Sequence, residues 1–235
     1  MPSKADESLQ FNTIEESIEA FRNGEFIVVL DSQNRENEGD LIIAADSVTT
    51  AKMAFMIRYS SGYICAPILP PLATHLLLPQ MVTENADPNG TAYTISIDAT
   101  DPSITTGISA HDRALTCRTL ADPNVQPTHF RRPGHILPLQ ARPGGVRERP
   151  GHTEAAVDFC RLAGKAEAGV ICELVEDGEV AGEGVAEMEG AGMMRGDRCL
   201  EFGKRWGLKV CTIEDLVGYL ERMEGKKVVG VNGKH

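Results

Sequence analysis

Two short β-branched runs, EFIVVL at 25–30 and LIIAA at 41–45, read as buried strands. The ten residues between them, Asp31 to Asp40, are more than a tight hairpin needs. Any fold of this chain therefore seats two core strands and leaves between them a connection dense in charge. Arg35, Glu36, Glu38 and Asp40 fall within six residues of NRENEGDLIIAA, 34–45. Where that connection is extended, Glu36, Glu38 and Asp40 alternate onto one side. Like charges so placed repel, and a hard divalent cation such as Mg²⁺, or the flanking Arg35, offsets the repulsion. A solvated loop accounts for the same spacing, and spacing alone leaves both open.

The rest of the chain supplies elements around these strands. Thr13 and Glu16 form a capping-box pattern, and Ile14, Ile18 and Phe21 follow at helical spacing. TTAKMAFMIRYSSG is helical in pattern, YICAPIL is a strand stopped by Pro70-Pro71, and TAYTISIDA alternates as a strand does. Ser109 with Asp112 caps a helix through AHDRALTCRTLA. HILPLQA is short and strand-like, and its Pro138 points to an edge or a bulge. A helix from Thr153 is ended by Gly164, and GVICELV after it is a strand. A helix through CLEFGKRWG, the strand LKVCT and a Thr212-capped helix follow. Without a regular βαβ beat, this mixture predicts an α+β single domain, a mixed β-sheet flanked by helices. The expected spans are a flexible N-terminus at 1–10, one catalytic domain at 11–223 with a Gly-rich inserted loop at 178–192, and a flexible tail at 224–235.

Composition narrows the function classes. With 42% hydrophobic residues the chain can bury a core, yet no apolar run approaches the roughly 20 residues of a membrane helix. The polar first ten residues resemble neither a secretory signal nor an anchor, so a cytoplasmic protein is expected, with no membrane partner. Cys65, Cys117, Cys160, Cys172, Cys199 and Cys211 lack CxxC spacing and read as reduced, mostly buried thiols. A net charge of -11 disfavours nucleic acid. Against that trend, Arg131, Arg132, Arg142, Arg147 and Arg149 cluster with His129 and His135, opposed only by Glu148. A local cationic patch on an acidic chain suits a small anion.

The tetrapeptide RPGH occurs at 132–135 and at 149–152. The second copy leads into a helix whose first N–H groups and positive dipole end make an anion site, with Arg149 close by. A Gly turn, a Thr cap and a surface arginine explain the same letters, and the two readings balance. Glu173, inside the apolar VICELV, is either a buried carboxyl suited to acid–base work or an outward-facing residue.

Taken together, RENEGDL, TGISAHDRA at 106–114, RPGHI at 132–136, RPGHTEAAVD at 149–158 and CELV at 172–175 resemble the 3,4-dihydroxy-2-butanone 4-phosphate synthases of riboflavin biosynthesis. The likeness runs from about Phe11 to Arg222. It implies that family's α+β fold and the conversion of D-ribulose 5-phosphate to L-3,4-dihydroxy-2-butanone 4-phosphate and formate. It also implies two Mg²⁺ ions per active site, replaceable by Mn²⁺, and a homodimer with sites near the subunit interface. Glu36 and His152 match the metal ligands, with Glu38 as support for the metal loop. Arg35, Glu36, Asp40, Cys65 and Thr106 match substrate-contacting positions, and Arg149, Pro150, Gly151, His152 and Thr153 the phosphate-holding turn. His135 and Glu173 match the catalytic positions.

The chemistry suits these types, since a metal-polarised ketone acidifies the neighbouring C–H and acid–base groups then move protons. Ser32 and Gln33 stand where relatives often carry acids, and the stretch at 178–192 looks longer than usual. No cysteine cluster for the zinc of a fused cyclohydrolase II domain appears, so a monofunctional chain is expected. The competing readings are a metal-dependent isomerase or aldolase acting on another phosphorylated sugar, and a noncatalytic sugar-phosphate sensor.

Overall fold

The computed structural model describes residues 10–231, with side chains to residue 225. The two apolar runs are β1 (Ile27–Leu30) and β2 (Gly39–Ala44), antiparallel neighbours buried along their whole length. They join β3 (Cys65–Ile68), β4 (Ile97–Ala99), β5 (Phe130–Gln140), β6 (Gly169–Glu173) and β11 (Lys209–Thr212). The seven strands form one mixed sheet in the order β11-β1-β2-β6-β3-β5-β4. Pairing is parallel for β1 with β11 and for β3 with β5, and antiparallel elsewhere. Among the described residues no helix is long and apolar enough to cross a membrane.

Burial on both faces explains why the strands read as continuous apolar runs rather than as alternation. Val28, Leu30, Leu41, Ile43, Val170 and Cys172 pack with α2 (Thr50–Tyr59), α4 (Ala110–Leu120) and α6 (Asp197–Trp206). Ile27, Val29, Ile42, Ala44 and Ile171 pack on the other face with α1 (Ile14–Arg22), α5 (His152–Ala163) and α7 (Ile213–Val231). The α1 capping box forms as its sequence predicts: Glu16 N–H donates to Thr13 Oγ1, and Thr13 N–H donates to Glu16 Oε2. At the starts of α4 and α7 a single arm of that cap is present: Asp112 N–H donates to Ser109 Oγ, and Asp215 N–H to Thr212 Oγ1. All six cysteines are free and buried.

Four elements depart from the sequence reading. Pro138 sits in an interior strand, opposite Ala66, and its carbonyl still accepts from Thr94 N–H and Thr94 Oγ1; the register irregularity against β4, where Ile97 pairs with Ile136 and Asp98 with Arg131, puts its extra residues on β5 itself, just before Pro138. Pro70-Pro71 not only ends β3 but opens α3 (Pro70–His75), since a proline at the first helical position forfeits no intrahelical bond. The Gly-rich segment is not a bare loop. It belongs to two small hairpins, β7 (Val175–Glu176) with β10 (Gly192–Met193), and β8 (Glu179–Val180) with β9 (Met188–Glu189). Finally, α7 continues through the segment expected to be a loose tail, because an established helix gains a hydrogen bond per added residue. Residues 1–9 and 232–235, expected to be flexible, lie outside the described residues.

β4 is three residues long, and its approach to β5 depends on Gly134. A Cβ there would lie 1.9 Å from the Ile97 carbonyl carbon, so backbone meets backbone. Gly134→Ala is expected to lower stability by about 1–3 kcal/mol, the usual cost of overpacking, read as a fall in the urea midpoint without a change in slope.

Candidate active site

The charged connection is not extended. It doubles back, with Asn37 at φ 54°, around the carboxylate of Asp31, whose side chain is fully buried. Asp31 Oδ2 accepts from Glu36 N–H at 3.0 Å and from Arg35 Nη1 at 2.8 Å, and Asp31 Oδ1 accepts from Glu38 N–H at 2.9 Å. Asp40 lies beyond the loop, inside β2. The simple alternation of Glu36, Glu38 and Asp40 is therefore replaced by a turn built on one buried acid, and all three still reach the same cleft.

The opposite wall is the start of α5. Its N-cap is Gly151, which has no side chain to cap the first N–H groups, so the positive end of the helix stays open. His152 and Thr153 follow, both buried, and both line the cleft. Pro150 is exposed and outside the lining; Gly151 is in contact distance of the arginines, because a Cβ there would come within 2.4 Å of Arg149 Nη1. Arg149 enters from the turn before. Its guanidinium is fixed by three acceptors: Glu154 Oε2 at 2.6 Å, Asn89 O at 3.0 Å and Thr91 Oγ1 at 3.1 Å. Cys65, from β3, and Glu173, from the end of β6, complete the lining. Glu173 is half-buried and accepts from the Ser61 hydroxyl at 2.8 Å, so the apolar strand delivers it to the cleft rim.

The electrostatics are those of crowded acids around one imidazole. His152 Nδ1 lies 3.5 Å from Asp40 Oδ1 and 3.7 Å from Glu36 Oε2. The His152 ring, aided by Arg35, holds the Glu36 carboxyl down at about 2 despite its burial. Burial pushes Asp40 up to about 7 against the pull of His152, and burial with the nearby Glu36 also raises Glu38. Burial by itself depresses the His152 imidazole, but Asp40, Glu36 and Asp31 outweigh it and raise the group to about 9. Asp40 Oδ1 and His152 Nε2 are both buried without a hydrogen-bond partner. Among the described residues no three His, Cys, Asp or Glu side chains are grouped so as to hold a metal ion. Asp40 and Glu36 face the Nδ1 edge of the imidazole, and its orphaned Nε2 is on the other edge; a few buried donors of this kind fit an open site, where a hard cation takes few protein ligands and fills its shell with water and substrate oxygens.

His135 and Thr106 are not in this cleft. They form a second cluster, in which Asp98, nearly fully buried, accepts from His135 N–H at 2.9 Å and pairs through Oδ2 with His135 Nδ1, also at 2.9 Å. Arg131 reaches the same oxygen at 3.3 Å. Gly107, next to Thr106, packs so close that a Cβ would lie 2.0 Å from Asp98 Oδ2. Asp31, Asp98, Glu154, Asn89 and Thr91 escape the sequence reading. Only Asp31, four residues before Arg35, and Glu154, five after Arg149, carry a spacing that could have marked them. A larger groove, between α2, α6 and the hairpins, is lined by none of the expected site residues.

A sequence profile of the 3,4-dihydroxy-2-butanone 4-phosphate synthases matches residues 15–219. The chain belongs to that family. The 3,4-dihydroxy-2-butanone 4-phosphate synthase of Pyricularia oryzae is 64% identical over 216 residues, covering 92% of each chain. That of Candida albicans is 53% identical, over 90% of this chain and 98% of its own. A solved 3,4-dihydroxy-2-butanone 4-phosphate synthase, in complex with two magnesium ions, superposes with a TM-score of 0.90 at 64% identity, covering 92% of this chain and all of that one. The synthase fold is thus the α+β arrangement described above, and the cleft lies where β2, β6 and α5 of that fold converge.

Since the turn that carries Glu36 hangs on Asp31, Asp31→Ala leaves Arg35 and two backbone N–H groups without their acceptor. It is expected to cost about 3 kcal/mol in urea unfolding, as breaking a buried pair does. Faster hydrogen exchange at the Glu36 and Glu38 amides is the local signature; unchanged exchange would remove Asp31 from its organising role.

Proposed function

We propose that this chain converts D-ribulose 5-phosphate into L-3,4-dihydroxy-2-butanone 4-phosphate and formate, as a Mg²⁺-dependent carbon–carbon lyase with two ions per site. The observation that carries this reading is the pair of buried, unpartnered donors, Asp40 Oδ1 and His152 Nε2, beside Glu36 in a cleft whose other wall is Arg149 and the uncapped start of α5. Glu36 and His152 would hold the cations, which when bound supply Lewis-acid polarisation of the ketone and its neighbouring oxygens.

The chain's own groups account for the remaining requirements. Arg149 has five N–H donors and gives three to protein acceptors, which leaves two, in a fixed orientation, for the phosphate. The open N–H groups of α5 and the Thr153 hydroxyl complete that anchor. Binding energy at the phosphate then holds the reacting carbons at the acidic end of the cleft. Arg35 and Asp40 contact the sugar, Cys65 closes the floor, and Glu38 supports the loop. Glu173, steadied by Ser61, moves protons at the rim. His135 is the second proton carrier. With Nδ1 directed to Asp98, its Nε2 is the atom left to exchange.

His135 and Thr106 stand outside the cleft of their own chain, and the His135 side chain is 40% exposed. A homodimer in which these two residues complete the neighbouring copy's cleft brings both carriers to one substrate. Mixing Glu36→Gln with His135→Ala protein, each inactive alone, is then expected to restore activity as subunits exchange; no recovery would assign His135 to its own chain's site.

Incubation with ribulose 5-phosphate and Mg²⁺ is expected to release formate in equal amount to the four-carbon product, and EDTA to stop it. A five-carbon isomer in place of formate would point to an isomerase, and binding without turnover to a sensor. Glu36→Gln and His152→Ala are expected to weaken Mg²⁺ binding and abolish turnover, with circular dichroism unchanged. His135→Ala is expected to lose turnover while substrate still binds in calorimetry.

A further inference from the structure

The loop Asn85–Thr91 crosses from the metal end of the cleft to its phosphate end, and the function above assigns it nothing. It is held in shape by its own contacts. Asn85 Oδ1 accepts from Asp87 N–H at 2.9 Å, Asp87 Oδ2 accepts from Thr91 N–H at 2.7 Å, and Asn85 Nδ2 donates to Thr91 O at 2.9 Å. Gly90, at φ +63°, makes the turn. From this frame Asn89 reaches in two directions. Its side-chain amide donates to Glu36 Oε1 at 2.7 Å, and its carbonyl accepts from Arg149 Nε at 3.0 Å. Thr91 Oγ1 adds the second hold on Arg149. Glu36 Oε2, the oxygen on the His152 side, is left to Arg35 and the cleft.

We propose that this loop is a positioning strap: Asn89 orients Glu36 for a divalent cation through its amide, while the Asn89 carbonyl and Thr91 orient Arg149 for phosphate. The inference rests on the function proposed above. A neutral donor on one oxygen of a ligating carboxylate fixes which oxygen and which lone pairs face the cation, and loss of such a partner typically costs about 10–100-fold in metal affinity. On the phosphate side the same logic applies to the guanidinium, whose plane must be set before two N–H groups can meet an anion.

The two arms are separable by mutation and by probe. In calorimetric titrations with Mg²⁺ alone and with inorganic phosphate alone, Asn89→Ala is expected to raise the Mg²⁺ dissociation constant about tenfold and to leave the phosphate constant within about twofold, because its carbonyl remains. Thr91→Val, which removes only the hydroxyl acceptor, is expected to do the reverse. With ribulose 5-phosphate at saturating Mg²⁺, Thr91→Val acts mainly on KM. Equal weakening of both probes in each variant, or no weakening in either, would overturn the strap while leaving the wild-type binding of both ions, and so the proposed function, intact. Failure of the wild-type protein to bind either probe would overturn both.

Discussion

Along the ladder between β2 and β6, Asp40 pairs with Glu173, Leu41 with Cys172 and Ile42 with Ile171. Directly paired residues present their side chains to the same face, so this register sends Asp40 and Glu173 toward α5, with Ile42 and Ile171, and sends Leu41 and Cys172 into the opposite core. A slip by one residue would put a carboxylate among Met53, Met56 and Val170 and leave Leu41 facing His152. Two buried apolar faces therefore enforce the placement of two acids. The cleft draws Asp40 and Glu173 from the sheet and Glu36 from the turn built on Asp31.

Crowding acids in this way is costly unless positive charge answers them. In the free chain Arg35, hydrogen-bonded to Asp31 and to Glu36, and the raised His152 imidazole supply that charge from within the protein. The compensation is incomplete, since Asp40 is buried with one oxygen unpartnered and holds its proton to near neutrality. A buried ionic cluster of this kind adds little to stability, because desolvation offsets most of the attraction. Packing around it does that work: Phe159 and Phe21 lie 5.7 Å apart beneath α5, and Ala155 and Ala156 let the helix come close to the sheet. The fold thus tolerates at the mouth of α5 an arrangement that an apolar interior would reject.

The strands were legible because β-branched residues concentrate in them, and the helix starts because Thr13, Ser109 and Thr212 are local signals acting over three residues. RENEGD and RPGHTE were legible as motifs, since each holds its chemistry within a few positions. What resisted reading depends on register or on approach between distant segments. Asp98 lies in an alternating strand where nothing local sets it apart, and its role appears only when β5 brings His135 against it. Asn89 and Thr91 belong to a polar loop that reads as solvated turn until Glu36 and Arg149 are found beside it. Pro138 reads as an edge marker because sequence shows its missing donor but not the Thr94 groups that use its carbonyl.

The two RPGH tetrapeptides show how far identical letters diverge once the backbone around them is fixed. In the first, the Arg132 guanidinium is spent on carbonyl oxygens of Leu76, Pro127 and Phe130, neutral acceptors of which Leu76 and Pro127 tie β5 to segments outside it. Its histidine, three residues further along the strand, is carried outward to Asp98. In the second, Gly151 begins a helix, His152 turns inward to the carboxylates, and Arg149 faces a cleft with part of its donor set free. Arginine is suited to both tasks, as a five-donor fork that either saturates carbonyls or presents paired N–H groups to an anion. The strand context leaves the first no cleft to face, whereas the helix start gives the second a dipole, open N–H groups and a buried acid, Glu154, to hold it in place. Chemistry at this site therefore follows from which element each copy enters, and the tetrapeptide itself carries only the capacity for it.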